Sequence, residues 1–126
     1  MKKNSIFLCM LVMLVLPACS AISPAQPTPT PDPFIVQGRQ VFNARCATCH
    51  ALEPNTTIIG PSLSDIATVA ETRVDGQSAE EYIQLAILRP GDYIVEGYNN
   101  VMITNLSKEL TNEDMNALVA FLMTLK

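Results

Sequence analysis

Histidine occurs once in this 126-residue chain, at His50, and tryptophan is absent. With one imidazole and few thiols, a four-ligand zinc site lacks its members. Cys9 and Cys19 belong to the N-terminal stretch, which leaves only Cys46 and Cys49 for the rest of the chain. A bond between those two closes a very small loop and staples little. A disulfide scaffold is therefore excluded, and the pair reads as chemical more than architectural. Basic residues are also short, 8 Lys and Arg against 12 Asp and Glu for a net charge of −4. That balance suits neither nucleic acid nor electrostatic binding to anionic lipid. No strand-length alternation and no internal repeat is found; the periodicity present is helical.

The N-terminus is of another kind. Lys2 and Lys3 precede an apolar run from Ile6 to Leu16, a charged n-region and an h-region of signal-peptide length, too short to span a bilayer comfortably. Leu16-Pro17-Ala18-Cys19 resembles a bacterial lipobox, with Pro17 its less usual member; the alternative is an ordinary secretory signal with an incidental cysteine. The resemblance implies that residues 1–18 are a lipoprotein signal peptide and that Cys19 is lipidated. The protein is then exported and anchored at the outer face of the bacterial cytoplasmic membrane, each buried methylene contributing about 0.8 kcal/mol. Without Lys2 and Lys3, six basic residues face 12 acidic ones, a charge of −6. Residues 19–33 form a Pro-rich tether after the lipidated cysteine: "AISPAQPTPTPDP" (21–33) has five prolines. In a polyproline-like form, at about 3.1 Å per residue, it reaches roughly 40 Å.

Residues 34–126 are the globular domain, small enough that a cofactor bringing apolar surface would help its core. The spacing predicts a first helix from Phe34 to Ala47, with Ile35, Gly38, Phe42, Cys46 and Cys49 on one face. Gly38 costs about 1 kcal/mol against Ala in mid-helix, which asks for close approach of another helix. "LSDIATVAETR" (63–73) reads as a short helix. Ser78 with Glu81 is a capping box for a helix that stops before Pro90. Thr111 with Asp114 is a looser cap for a last helix carrying Met115, Leu118, Phe121, Leu122 and Leu125 on one side. "DG" (75–76) and "PGD" (90–92) are turns. The expectation is an all-α domain of about four helices.

"CATCH" (46–50) carries the chemistry. On a helix, Cys46, Cys49 and His50 stand at i, i+3 and i+4 and project from one face. The spacing fits c-type haem attachment, two thioethers holding the macrocycle while His50 reaches the iron. A thioredoxin-like pair wants a preceding strand, which is not visible. A zinc site would have three ligands and no further Cys or His to close it. An incidental match remains the bland reading of so short a motif. For a sixth ligand the candidates are Met102, Met115 and Met123; the last two lie on the C-terminal helix, where methionine is more often core packing.

With "CATCH", "GPSL" (60–63), Gly38 and Phe42, the stretch from Phe34 to Lys126 resembles the small monohaem cytochromes c, class I type with His/Met ligation. The resemblance implies one covalent haem c, wrapped by about four helices. It also implies that the Pro61 carbonyl accepts a hydrogen bond from His50, and that Gly38 and Phe42 pack on an aromatic of the last helix, Phe121. It places the sixth ligand at Met102 in "EGYNNVMITNL"; the departure is Ile103, where proline commonly follows. An open or water-ligated site is the alternative. Arg89, Tyr93 and Tyr98 are possible propionate partners, each as readily surface or core.

The implied function is electron transfer and not catalysis: a membrane-tethered one-electron carrier between respiratory or related redox complexes, with basic docking patches on its partners. Two other readings stay open, a haem peroxidase or ligand sensor with a labile Met102, and a fixed electron-entry subunit of a larger complex.

Overall fold

A computed structural model of the chain describes residues 30–126. The expected signal segment 1–18, Cys19 and the tether as far as Pro29 lie outside the described residues. Among those described, helices α1 (Pro33–Arg45), α2 (Ile66–Val69), α3 (Ala79–Leu88), α4 (Leu106–Glu109) and α5 (Asn112–Leu122) follow in order, with a 3₁₀ turn (Ala70–Thr72) after α2. No described helix is long and apolar enough to cross a membrane.

The caps explain where the long helices begin. Asp32 accepts from the Phe34 amide at 2.8 Å with Pro33 at the first helical position, so the last residues of the segment read as tether start α1. Ser78 accepts from the Glu81 amide at 3.2 Å to open α3. Thr111 accepts from the Asp114 amide at 3.0 Å and donates to its carboxylate at 2.8 Å, opening α5. The Thr111 hydroxyl, then the Gln37 amide, hold the exposed Asp114 carboxyl below its ordinary range.

α1 and α5 form the main helix pair. A Cβ at Gly38 would run into the Ala117 carbonyl and stand 2.7 Å from Phe121 Cβ, so only glycine lets the two backbones meet there. One turn on, the Phe42 and Phe121 rings pack at 5.8 Å between centroids, tilted by 55°, and both are buried. Arg39 covers the outer face of Phe121 at 5.0 Å. Gln37 donates to Asp114 at 3.2 Å, and Arg45 pairs with Glu109 at 2.9 Å. Met115, Leu118 and Leu122 complete the buried side of α5, while Leu125, beyond the helix end, is half-buried. α3 packs on α2, the 3₁₀ turn, α4 and α5. The Leu125 carbonyl accepts from the Ala67 amide at 2.9 Å, tying the C-terminus to α2.

Two expectations need correcting. α1 ends at Arg45, not Ala47, because the Phe42 carbonyl accepts from both Cys46 (2.8 Å) and Ala47 (3.0 Å), and the longer i,i+5 step opens the helical ladder. "CATCH" therefore sits on a tight turn and not on a helix. The short α4 begins at Leu106, the last residue of the stretch that holds Met102, and its one turn is pinned by that buried side chain.

Candidate functional site: a cavity with thiols, an imidazole and a thioether

The turn at the end of α1 still gathers its three side chains. The Cys46 carbonyl accepts from the Cys49 amide at 3.0 Å and the His50 amide at 2.9 Å, a last helix-like turn. Cys46, Cys49 and His50 all line one cavity, which encloses about 1270 Å³ of space between atoms when its open mouth is included. Met102 lines the same cavity from the irregular chain between α3 and α4. The body of the cavity is apolar, with Ile66, Ile83, Ile87, Leu106 and Leu122 among its walls. Met115 is buried in the core and Met123 packs against it, and neither reaches the cavity.

His50 is held from two directions. Its Nδ1 lies 2.8 Å from the Pro61 carbonyl, so Nδ1 carries the proton and Nε2 is left as the lone-pair nitrogen. Its backbone pairs with Thr57 in an antiparallel bridge, and the Cys49 carbonyl accepts from the Ile59 and Gly60 amides at 3.2 and 2.9 Å. The chain passes under the ring at Gly60, where a Cβ would stand 2.9 Å from Nδ1 and closer still to Cε1. Orientation of a ligating imidazole by a carbonyl fixes the ring and raises its basicity.

Cys46 and Cys49 are free thiols. Burial, then the neighbouring Cys49, pushes the Cys46 thiol up to about 11. Disulfide exchange needs the opposite, a thiol drawn down so that the thiolate is present near neutrality. No strand precedes the pair among the described residues, unlike the strand-first setting of a thioredoxin-type dithiol. Nor do the described residues bring three or more His, Cys, Asp or Glu side chains together to hold a metal ion.

The polar groups on the wall are few. Arg45 is taken by Glu109. Arg73 also lines the cavity, beside Tyr82; burial raises the Tyr82 hydroxyl above its ordinary 10.0, and Arg73 partly offsets this. Among the described residues Arg73 has no carboxylate partner. Neither residue was singled out by the sequence: Arg73 closes the stretch that reads as a short helix, and only the fold of α2 onto α3 brings it to the cavity. Tyr93 and Tyr98 line the cavity, whereas Arg89 is half a surface pair with Asp92 at 3.0 Å and lies off it.

The residues fit a haem. The cavity offers a large apolar slot, two thiols and an imidazole nitrogen on one wall, and a thioether among the lining of its other parts. Fold and site together define a small all-α protein built round an apolar cavity, with a Cys-x-x-Cys-His turn on its wall. The family model for cytochrome c matches residues 35–126. The chain belongs to the cytochrome c family, and its helical fold is that of the small cytochromes c. Members of the family are generally haem-based electron-transfer proteins, and the match implies a haem of the c type. No curated protein matches the sequence.

Proposed function

We propose that this protein is a membrane-tethered one-electron carrier that holds a single haem c through thioethers to Cys46 and Cys49, with His50 and Met102 as the axial ligands. The observation that carries this reading is the presence of His50, oriented by Pro61, and Met102 in one apolar cavity. When bound, the haem supplies a one-electron iron couple. His50 and Met102 would fill both axial positions, so no place remains for a substrate. The thioether of Met102 favours the reduced state, as does the apolar lining. Arg73 and Tyr82 present a cation and a hydroxyl to the wall, where the carboxylates of the group would need partners.

Cys19 carries the lipid anchor in this reading, at the outer face of the cytoplasmic membrane, with the Pro-rich segment as an arm. The partners are redox protein complexes. The charge of −6 beyond residue 18 favours a basic docking face, and exposed apolar side chains at the cavity mouth, Ile59, Ile94, Val101 and Ile103, suit a brief, weak contact. A second reading, a peroxidase or ligand sensor, draws on Ile103, which leaves the chain after Met102 without the rigidity of a proline.

The deciding experiment is an optical spectrum of the haem-loaded protein, wild type beside Met102→Ala. The weak near-infrared charge-transfer band of a ferric iron–thioether bond is expected in the wild type and absent from the variant. A wild type that lacks the band, and binds carbon monoxide when reduced, would turn the assignment to the sensor or enzyme.

A further inference from the structure

The chain from Pro90 to Asn105, which carries Met102, is fastened at its two ends. Pro90 is buried, Tyr93 packs edge-on against Tyr82 at 5.7 Å, and Leu106 is buried just beyond the far end. Between these ends its backbone hydrogen bonds are local: Asp92 to Arg89, Tyr98 to Val95, and Val101 to Asn99. Among the described residues, one hydrogen bond leaves the segment for a distant part of the chain. It joins the hydroxyls of Tyr98 and Thr57 at 3.1 Å, across 41 positions.

Thr57 is itself well anchored. Its backbone pairs with His50, in a hairpin turned by Asn55 at a left-handed φ of 56°. The two hydroxyls therefore connect the part of the wall that carries His50 to the part that carries Met102. Tyr98 lines the cavity and stands four residues before Met102. After Met102 comes Ile103, exposed and without the fixed φ that proline would impose.

We infer that the Thr57–Tyr98 hydroxyl pair is a latch holding the Met102 loop closed on the cavity, which makes Tyr98 a positioning residue for Met102. The inference rests on Met102 being an axial ligand. A segment held in its middle by one tertiary hydrogen bond opens locally to an extent set by that bond. The open form leaves the iron free for any competing ligand. The apparent affinity for such a ligand rises in proportion to the open fraction.

The test is an imidazole titration of the ferric, haem-loaded protein, followed by loss of the near-infrared charge-transfer band. Tyr98→Phe keeps the ring and removes the hydroxyl, and is expected to bind imidazole about three- to tenfold more tightly, the factor of one net hydrogen bond. Thr57→Val is expected to give a similar factor, and the double variant no more than either single one. Thr56→Val, which removes a hydroxyl bonded within the hairpin to the Pro54 carbonyl, is expected to change nothing. A wild type that shows the band while Tyr98→Phe binds imidazole no more tightly overturns the latch and leaves Met102 as ligand, even if the variant melts earlier. A wild type without the band removes the ligand and the latch together.

Discussion

Replacing Gly38 with alanine sets two effects of opposite sign against each other. Helix propensity favours the change, because glycine within a helix costs about 0.5–1 kcal/mol relative to alanine. Packing opposes it. The new Cβ would overlap the Ala117 carbonyl and stand 2.7 Å from Phe121 Cβ, where ordinary contact begins at 3.4 Å. Neither obstacle is the tip of a flexible side chain, so α1 and α5 must part by more than the roughly 0.7 Å that the Phe121 contact alone demands, because the Ala117 carbonyl stands nearer still. A gap of that size forfeits roughly a quarter to a half of each dispersion contact across it, the Phe42–Phe121 pair included. Overpacking of this kind costs about 1–3 kcal/mol, and rigid backbone puts it toward the upper end. The net expectation after the propensity gain is a loss of about 2 kcal/mol, a fall in Tm of about 8–16 °C for a domain of this size. Thermal unfolding of the haem-loaded protein, read by far-UV circular dichroism, measures it. A Gly38→Ala variant that melts at or above the wild type would refute the close approach of α1 and α5.

Gly60→Ala places a methyl group against the His50 ring and is expected to break the bond from Nδ1 to Pro61, 2.8 Å in the wild type. The fraction of protein recovered with bound haem should fall about tenfold, and a wild-type spectrum at normal yield would count against this account of the ring. Asp114→Asn removes a carboxylate stabilised by Thr111 and Gln37. Its contribution is fully present above the ordinary aspartate value of 3.8 and is lost as the pH falls through the lower value it has in the folded protein. Urea titrations of the two proteins should therefore differ near neutrality and converge in strong acid; a difference that persists there would assign the effect to something other than charge.

The local parts of the fold were legible because they are written in adjacent residues. Ser78 and Thr111 announce their helices by hydroxyls that meet amides three residues on. Gly38 announces the α1–α5 contact through the conflict between its propensity and its place. The Cys-x-x-Cys-His spacing announces three groups that meet in one place, and the turn that replaces the expected helix keeps them on one wall. What escaped was set by contacts between distant segments. α4 carries too few residues for a periodic signal, and burial of Leu106 fixes it. Arg73 becomes part of the cavity only once α2 has folded against α3. The Thr57–Tyr98 contact spans 41 positions and has no local mark at all.

The pairing of α1 with α5 also sets an order of events. Gln37 and Asp114, which face each other in the finished domain, are 77 positions apart, so the cavity cannot close until the end of the chain is in place. Until then the cavity wall that holds the two cysteines lacks Leu122 of α5. Afterwards Cys46 is half-buried in the cavity wall, where burial pushes its thiol up to about 11. If Cys46 and Cys49 carry the haem as proposed, their attachment is easiest before the last helix docks.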